Sequence, residues 1–122
     1  MIKGIGVDIA QVHRIAKALE TTGFRERFCT SSEIAGGDGK PAAFWAGRWA
    51  AKEAFSKALG CGIGADCSFQ DIEVVNDDAG APGLEVGGAA AKRLAAMKVA
   101  KIWVSISHER DFAVATVILE GD

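Results

Sequence analysis

The segment Pro41 to Leu59, PAAFWAGRWAAKEAFSKAL, constrains the fold more than any other part of the chain. Pro41 suits the first turn of a helix, and Gly60 stands where a C-cap glycine belongs, so one long helix is expected between them. On a wheel of 3.6 residues per turn, Phe44, Ala51, Phe55 and Ala58 share one side, with Glu53 and Lys57 nearly opposite. That first side is a core face. Trp45 and Trp49 lie on the Glu53 side, however, so this side also needs cover.

The elements around this helix are shorter. Ile2 to Val7 reads as a strand, followed by a helix from Ile9, Val12, Ile15, Ala16 and Leu19 that Gly23 can end. Thr30 and Glu33 have capping-box spacing, and GGDGK, 36–40, is a loop. Phe69 to Val75 reads as a strand, DDAGAP as a turn, and 84–86 as a second short strand. Gly88 to Val99 is Ala-rich and helical in character. Ile102, Val104 and Ile106 alternate with Trp103, Ser105 and Ser107, and a turn at 108–111 leads into Phe112 to Leu119, completing a hairpin. With 122 residues, 49% hydrophobic and 25% charged, the chain suits one α+β domain, 1–122, an antiparallel sheet with packed helices.

Several function classes are disfavoured. Sixteen acidic against fourteen basic residues give a formal charge of -2, which argues against a nonspecific nucleic-acid binder. The N-terminal stretch MIKGIGVDIAQVHRI has no continuous apolar core of a signal peptide, and no apolar run has the length of a membrane span. Cys29, Cys61 and Cys67 are odd in number and lack zinc-ligand spacing, so free thiols in a reducing cytoplasmic setting are expected. The glycines of GIG at 4–6 and GCGIG at 60–64 allow close backbone approach or positive φ. Neither forms a dinucleotide or Walker motif.

Glu53 beside two tryptophans loses hydration and needs a compensating cation, donor or proton. Either Lys57, four residues on, is a simple ion-pair partner, or Glu53 binds a hard metal while Lys57 faces a phosphate. Asp8 similarly reads as a helix N-cap or as a second metal carboxylate at a strand end. Magnesium takes one or two carboxylates and completes its shell with water and phosphate oxygens, so the pair would suffice. His108 is either a turn residue or a phosphate contact, and Ser107, His108 and Asp111 form no nucleophilic triad.

Three blocks, GIGVDIAQVHRI from Gly4, AGRWAAKEAFSKALGCGIG from Ala46 and VSISHERDFAVATVILE from Val104, closely resemble the small trimeric 4'-phosphopantetheinyl transferases, the holo-[acyl-carrier-protein] synthases. FQDIEVVNDDAGAP resembles the family's intervening strand and turn, so the likeness spans nearly the whole chain. Trp49 stands where phenylalanine is commoner.

The resemblance implies transfer of 4'-phosphopantetheine from coenzyme A to a serine of an apo acyl carrier protein, with magnesium, releasing adenosine 3',5'-bisphosphate. By position it makes Asp8 and Glu53 the metal carboxylates, and Asp8, Glu53 and Lys57 the catalytic group. Arg48, Lys57, Ser107 and His108 fall near the coenzyme A phosphates and nucleotide. Glu53, a metal-bound water and a neutral Lys57 all remain candidates for the base. Arg14 and Lys17, with Arg25 and Arg27 beyond, form an expected basic surface for the acidic carrier. A closed homotrimer with sites at its seams is implied, and neighbouring subunits would cover the tryptophan side of the long helix and the doubly apolar hairpin. The alternative is a noncatalytic α+β interaction domain; the larger two-half transferases are disfavoured by length.

Overall fold

The computed structural model describes residues 1–122. Its first strand, β1 (Ile2–Gln11), runs four residues further than the sequence suggests. Gly4, Gly6, Asp8 and Ala10 alternate with Ile5, Val7 and Ile9, and this two-residue period carries the strand past Val7. Asp8 is therefore not a helix N-cap. It pairs across the ladder with Ala115, while Gln11 holds the N-cap position of α1 (Val12–Leu19) without a side-chain bond.

Two short helices follow, α2 (Phe24–Phe28) and α3 (Ser31–Gly36). The capping box at α3 is complete: Thr30 N–H donates to Glu33 Oε1 at 2.8 Å, and Glu33 N–H donates to Thr30 Oγ1 at 3.3 Å. Next comes the long helix, α4 (Ala42–Ala58), with Pro41 as N-cap and Gly60 at φ 81° just beyond its end. A 3₁₀ turn (Phe69–Asp71) replaces the beginning of the expected 69–75 strand and leads into β2 (Ile72–Asn76). β3 (Pro82–Val86), α5 (Gly88–Ala96), β4 (Val99–His108) and β5 (Phe112–Gly121) complete the chain.

The main sheet has the order β1-β5-β4, antiparallel throughout, and β2 with β3 forms a separate hairpin. Helix α4 lies across one sheet face. Ala46, Ala50, Ala54 and Phe55 are fully buried there with Ala113, Val117 and Leu119 of β5. The glycines of β1 allow this close approach: a Cβ at Gly6 would overlap the Ala54 carbonyl oxygen, and one at Gly4 would overlap that of Ala58. Small residues on the inward side of β1 thus bring Asp8 against α4.

The tryptophan side of α4 is covered within the chain, contrary to the expectation that another subunit covers it. Trp45 is buried, and Trp49 packs on Phe24, Phe28 and Phe69 with ring centroids 5.6, 5.5 and 4.9 Å away. The uncovered apolar surface is instead the opposite sheet face. Ile5, Val7 and Ile9 are 65%, 56% and 64% exposed, and Trp103, Phe112 and Val114 extend the same patch across β4 and β5. All three cysteines are free; burial pushes the Cys29 and Cys67 thiols up to about 12, so neither supplies a thiolate at neutral pH. No helix is long and apolar enough to cross a membrane.

Candidate active site

Asp8 from β1 and Glu53 and Lys57 from α4 meet in one open pocket of about 480 Å³. Its apolar wall comes from Ile9, Ile15, Phe24 and Trp49, and Arg14 of α1 stands at its edge. Strand periodicity turns Asp8 toward α4, while one helical turn separates Glu53 from Lys57. Lys57 Nζ does not pair with Glu53. It donates to Asp8 Oδ1 at 2.9 Å and to the Val7 carbonyl at 3.2 Å, leaving the simple i, i+4 ion pair unformed.

Glu53 is consequently the less compensated carboxylate. Partial burial raises its pKa, and the nearby Asp8 charge raises it further, against an opposing effect of Lys57. With the Lys57 ammonium bonded to Asp8, Glu53 faces the pocket without a direct cationic partner, and a hard divalent cation between the two carboxylates would supply one. They fit a two-carboxylate magnesium site completed by water and phosphate oxygens; no cluster of three or more His, Cys, Asp or Glu ligands is present.

The other expected nucleotide contacts lie elsewhere on the chain. Arg48 stacks 3.7 Å over the Phe44 ring and donates through Nη2 to Asn76 Oδ1 at 3.0 Å. Its Nε is buried with no hydrogen-bond partner, and burial lowers the guanidinium pKa. Arg48 and His108 share a depression with Asn76, Gly80 and Pro82, separate from the Asp8 pocket. Ser107 is exposed at the end of β4, opposite Val114, and lines neither pocket. One chain therefore carries two separate groups: carboxylates with Lys57, and Arg48 with His108.

Among the expected docking residues, Arg14, Lys17 and Arg27 are exposed on α1 and α2. Arg25 is set apart: its guanidinium stacks 4.7 Å over Trp45 and lines a depression with Asp38 and Lys40. The sequence reading missed Asn76, and the aromatic shelf of Phe44 under Arg48; only the four-residue spacing of Phe44 and Arg48 pointed to the latter. Lys52 had no assigned place, yet it is wholly buried in an ion pair with Glu33 at 2.6 Å.

The α4 helix laid over an antiparallel sheet matches a known fold. Residues 4–117 match the model of the 4'-phosphopantetheinyl transferase superfamily, and the chain belongs to that family. A holo-[acyl-carrier-protein] synthase of Shewanella woodyi is 45% identical over 132 aligned positions, covering 99% of this chain and 100% of that one. The crystal structure of a holo-[acyl-carrier-protein] synthase from Neisseria meningitidis superposes with a TM-score of 0.90 at 37% identity, over 98% of this chain and 99% of that one. A holo-(acyl-carrier-protein) synthase from Bacillus anthracis, solved in complex with CoA (3',5'-ADP), gives a TM-score of 0.86 at 44% identity, over 100% and 99%.

Proposed function

We propose that the chain is a holo-[acyl-carrier-protein] synthase, transferring 4'-phosphopantetheine from coenzyme A to a serine of an apo acyl carrier protein in the cytoplasm. The observation that carries this reading is the convergence of Asp8, Glu53 and Lys57 in one pocket, within a chain similar to synthases over its full length. Asp8 and Glu53 would hold magnesium, which when bound neutralises pyrophosphate charge and the developing charge of the leaving group.

Lys57 is half exposed at the pocket and spends two hydrogen bonds on Asp8 and the Val7 carbonyl, leaving one N–H for a phosphate oxygen. The serine oxygen attacks the pantetheine-side phosphorus, the bond to the bridging oxygen breaks, and adenosine 3',5'-bisphosphate leaves. The serine proton passes to a base at the pocket, where Glu53 and Lys57 are the side chains present to receive it. Arg48 is held on an aromatic shelf and by Asn76 in a depression shared with His108, which suits its guanidinium to hold a nucleotide phosphate from the second group.

A homotrimer brings the two groups together across each seam. The exposed Ile5, Val7, Ile9 and Val114 face supports this assembly, since a patch of this kind on a small chain calls for a partner. Mass spectrometry tests the reaction. Apo carrier incubated with the protein, coenzyme A and Mg2+ should gain one phosphopantetheine; no gain with a range of apo carriers contradicts the reading and leaves a noncatalytic domain.

A further inference from the structure

We infer that Lys52, through its buried ion pair with Glu33, is a positioning residue that fixes Glu53 and Trp49 at the acidic pocket, a role that rests on the transfer reaction proposed above. Lys52 touches no pocket surface. Its side chain is fully buried, and all three ammonium hydrogens are used: Nζ donates to Glu33 Oε1 at 2.6 Å, the Phe28 carbonyl at 2.7 Å and the Phe69 carbonyl at 3.1 Å.

The two carbonyls belong to residues whose rings grip Trp49. Trp49 in turn forms part of the pocket wall, one turn before Glu53. Glu33 extends the network: Oε1 also accepts from Thr30 N–H at 2.8 Å, and Oε2 accepts from Val74 N–H at 2.9 Å. One ammonium thus ties α4 to the end of α2, the start of α3, the 3₁₀ turn and β2. Helix α2 is only five residues long, too short to persist alone. Besides Lys52, its C-terminal end is held by Gln70, whose Nε2 donates to the Glu26 and Cys29 carbonyls at 2.8 and 2.7 Å.

An apolar side chain would fill this space without the desolvation cost of burying two charges. It would not fix direction. Three hydrogen bonds donated to Phe28, Glu33 and Phe69 fix this side of α4 against those segments, and Glu53 is the next residue, about 100° around the helix axis. A small rotation at Lys52 therefore carries the Glu53 carboxylate away from Asp8, and releases Phe28 and Phe69 from Trp49.

The test compares wild type with Lys52→Met/Glu33→Gln, which removes both charges, and with Lys52→Arg, which keeps the cation but replaces its compact ammonium. Either variant that shows a cooperative unfolding transition serves. Two readouts are taken: Mn2+ affinity from water-proton relaxation, which needs no turnover, and kcat with the KM for coenzyme A in the transfer assay. The expected result is Mn2+ affinity at least about fivefold weaker and kcat at least about tenfold lower, with KM for coenzyme A within about twofold. A folded variant with wild-type Mn2+ affinity and kcat overturns the positioning role, and so does loss of fold in both variants, which makes the pair a stability element alone. A wild type that binds Mn2+ but transfers nothing to any carrier overturns the reaction instead.

Discussion

At the scale of single residues, Asp8 and Glu53 share a pocket but differ in environment, and substitution separates their roles. Asp8→Asn and Glu53→Gln nearly preserve volume while each removes a negative charge from the proposed metal site, so both should fold and lose about 100-fold or more in kcat. The Glu53 exchange has a second, pH-dependent consequence. Its folded pKa is raised above the unfolded value, so the fold binds the proton more tightly, and stability falls as pH rises through the two values. Glu53→Gln escapes that loss. Without metal it should melt above wild type at pH 7, with the difference fading toward pH 4; thermal scans at the two pH values read this directly. Lys52 shows the limit of reading residues singly. The wheel sorts side chains by face, but the carboxylate that makes a lysine tolerable in a core comes from Glu33, nineteen residues away.

At the scale of elements, α1 presents Arg14 and Lys17 to solvent beside the pocket, a surface suited to an acidic carrier. Reversing both to Glu should raise KM for the carrier about tenfold and leave KM for coenzyme A nearly unchanged in steady-state assays. Strand β1 contributes through what it lacks. Gly6→Ala places a methyl against the Ala54 carbonyl and should lower unfolding free energy by about 3 kcal/mol in urea titrations, because helix and strand must separate.

The elements legible in the sequence include those whose period outlasts their ends, α1, α4, α5 and the β4–β5 hairpin, together with the short strands β2 and β3 and the capped start of α3. Helix α2 was not legible, since five residues hold too few repeats and its end is secured by Lys52 and Gln70 from elsewhere. Asp8 was ambiguous for a different reason. Ile9, Val12 and Ile15 fit a helical spacing, while Ile5, Val7 and Ile9 fit a strand, and pairing of β1 with β5 decided for the strand. The acidic half of the site followed from residue types on two strong elements. The Arg48 surroundings did not, because Asn76 and Phe44 meet Arg48 only through tertiary packing.

At the scale of the whole molecule, the chain satisfies its helix and leaves its sheet bare. Trp49 finds Phe24, Phe28 and Phe69 at home, whereas Ile5, Val7, Ile9 and Val114 face water. Val114→Asp should therefore keep the single-chain fold, since Val114 is outside the core, while light scattering reports a shift from three chains toward one and turnover falls with it. The most direct measurement is complementation between two inactive chains, Glu53→Gln and Arg48→Ala, because each damages a different group. Mixed in equal amounts and allowed to reassemble, random trimers contain seams at which one chain gives Glu53 and its neighbour gives Arg48. With head-to-tail closure, about a quarter of all seams are then intact, and transfer to apo carrier should recover to about a quarter of wild type. Activity of the mixture no greater than that of the two variants assayed separately would contradict a site shared between chains.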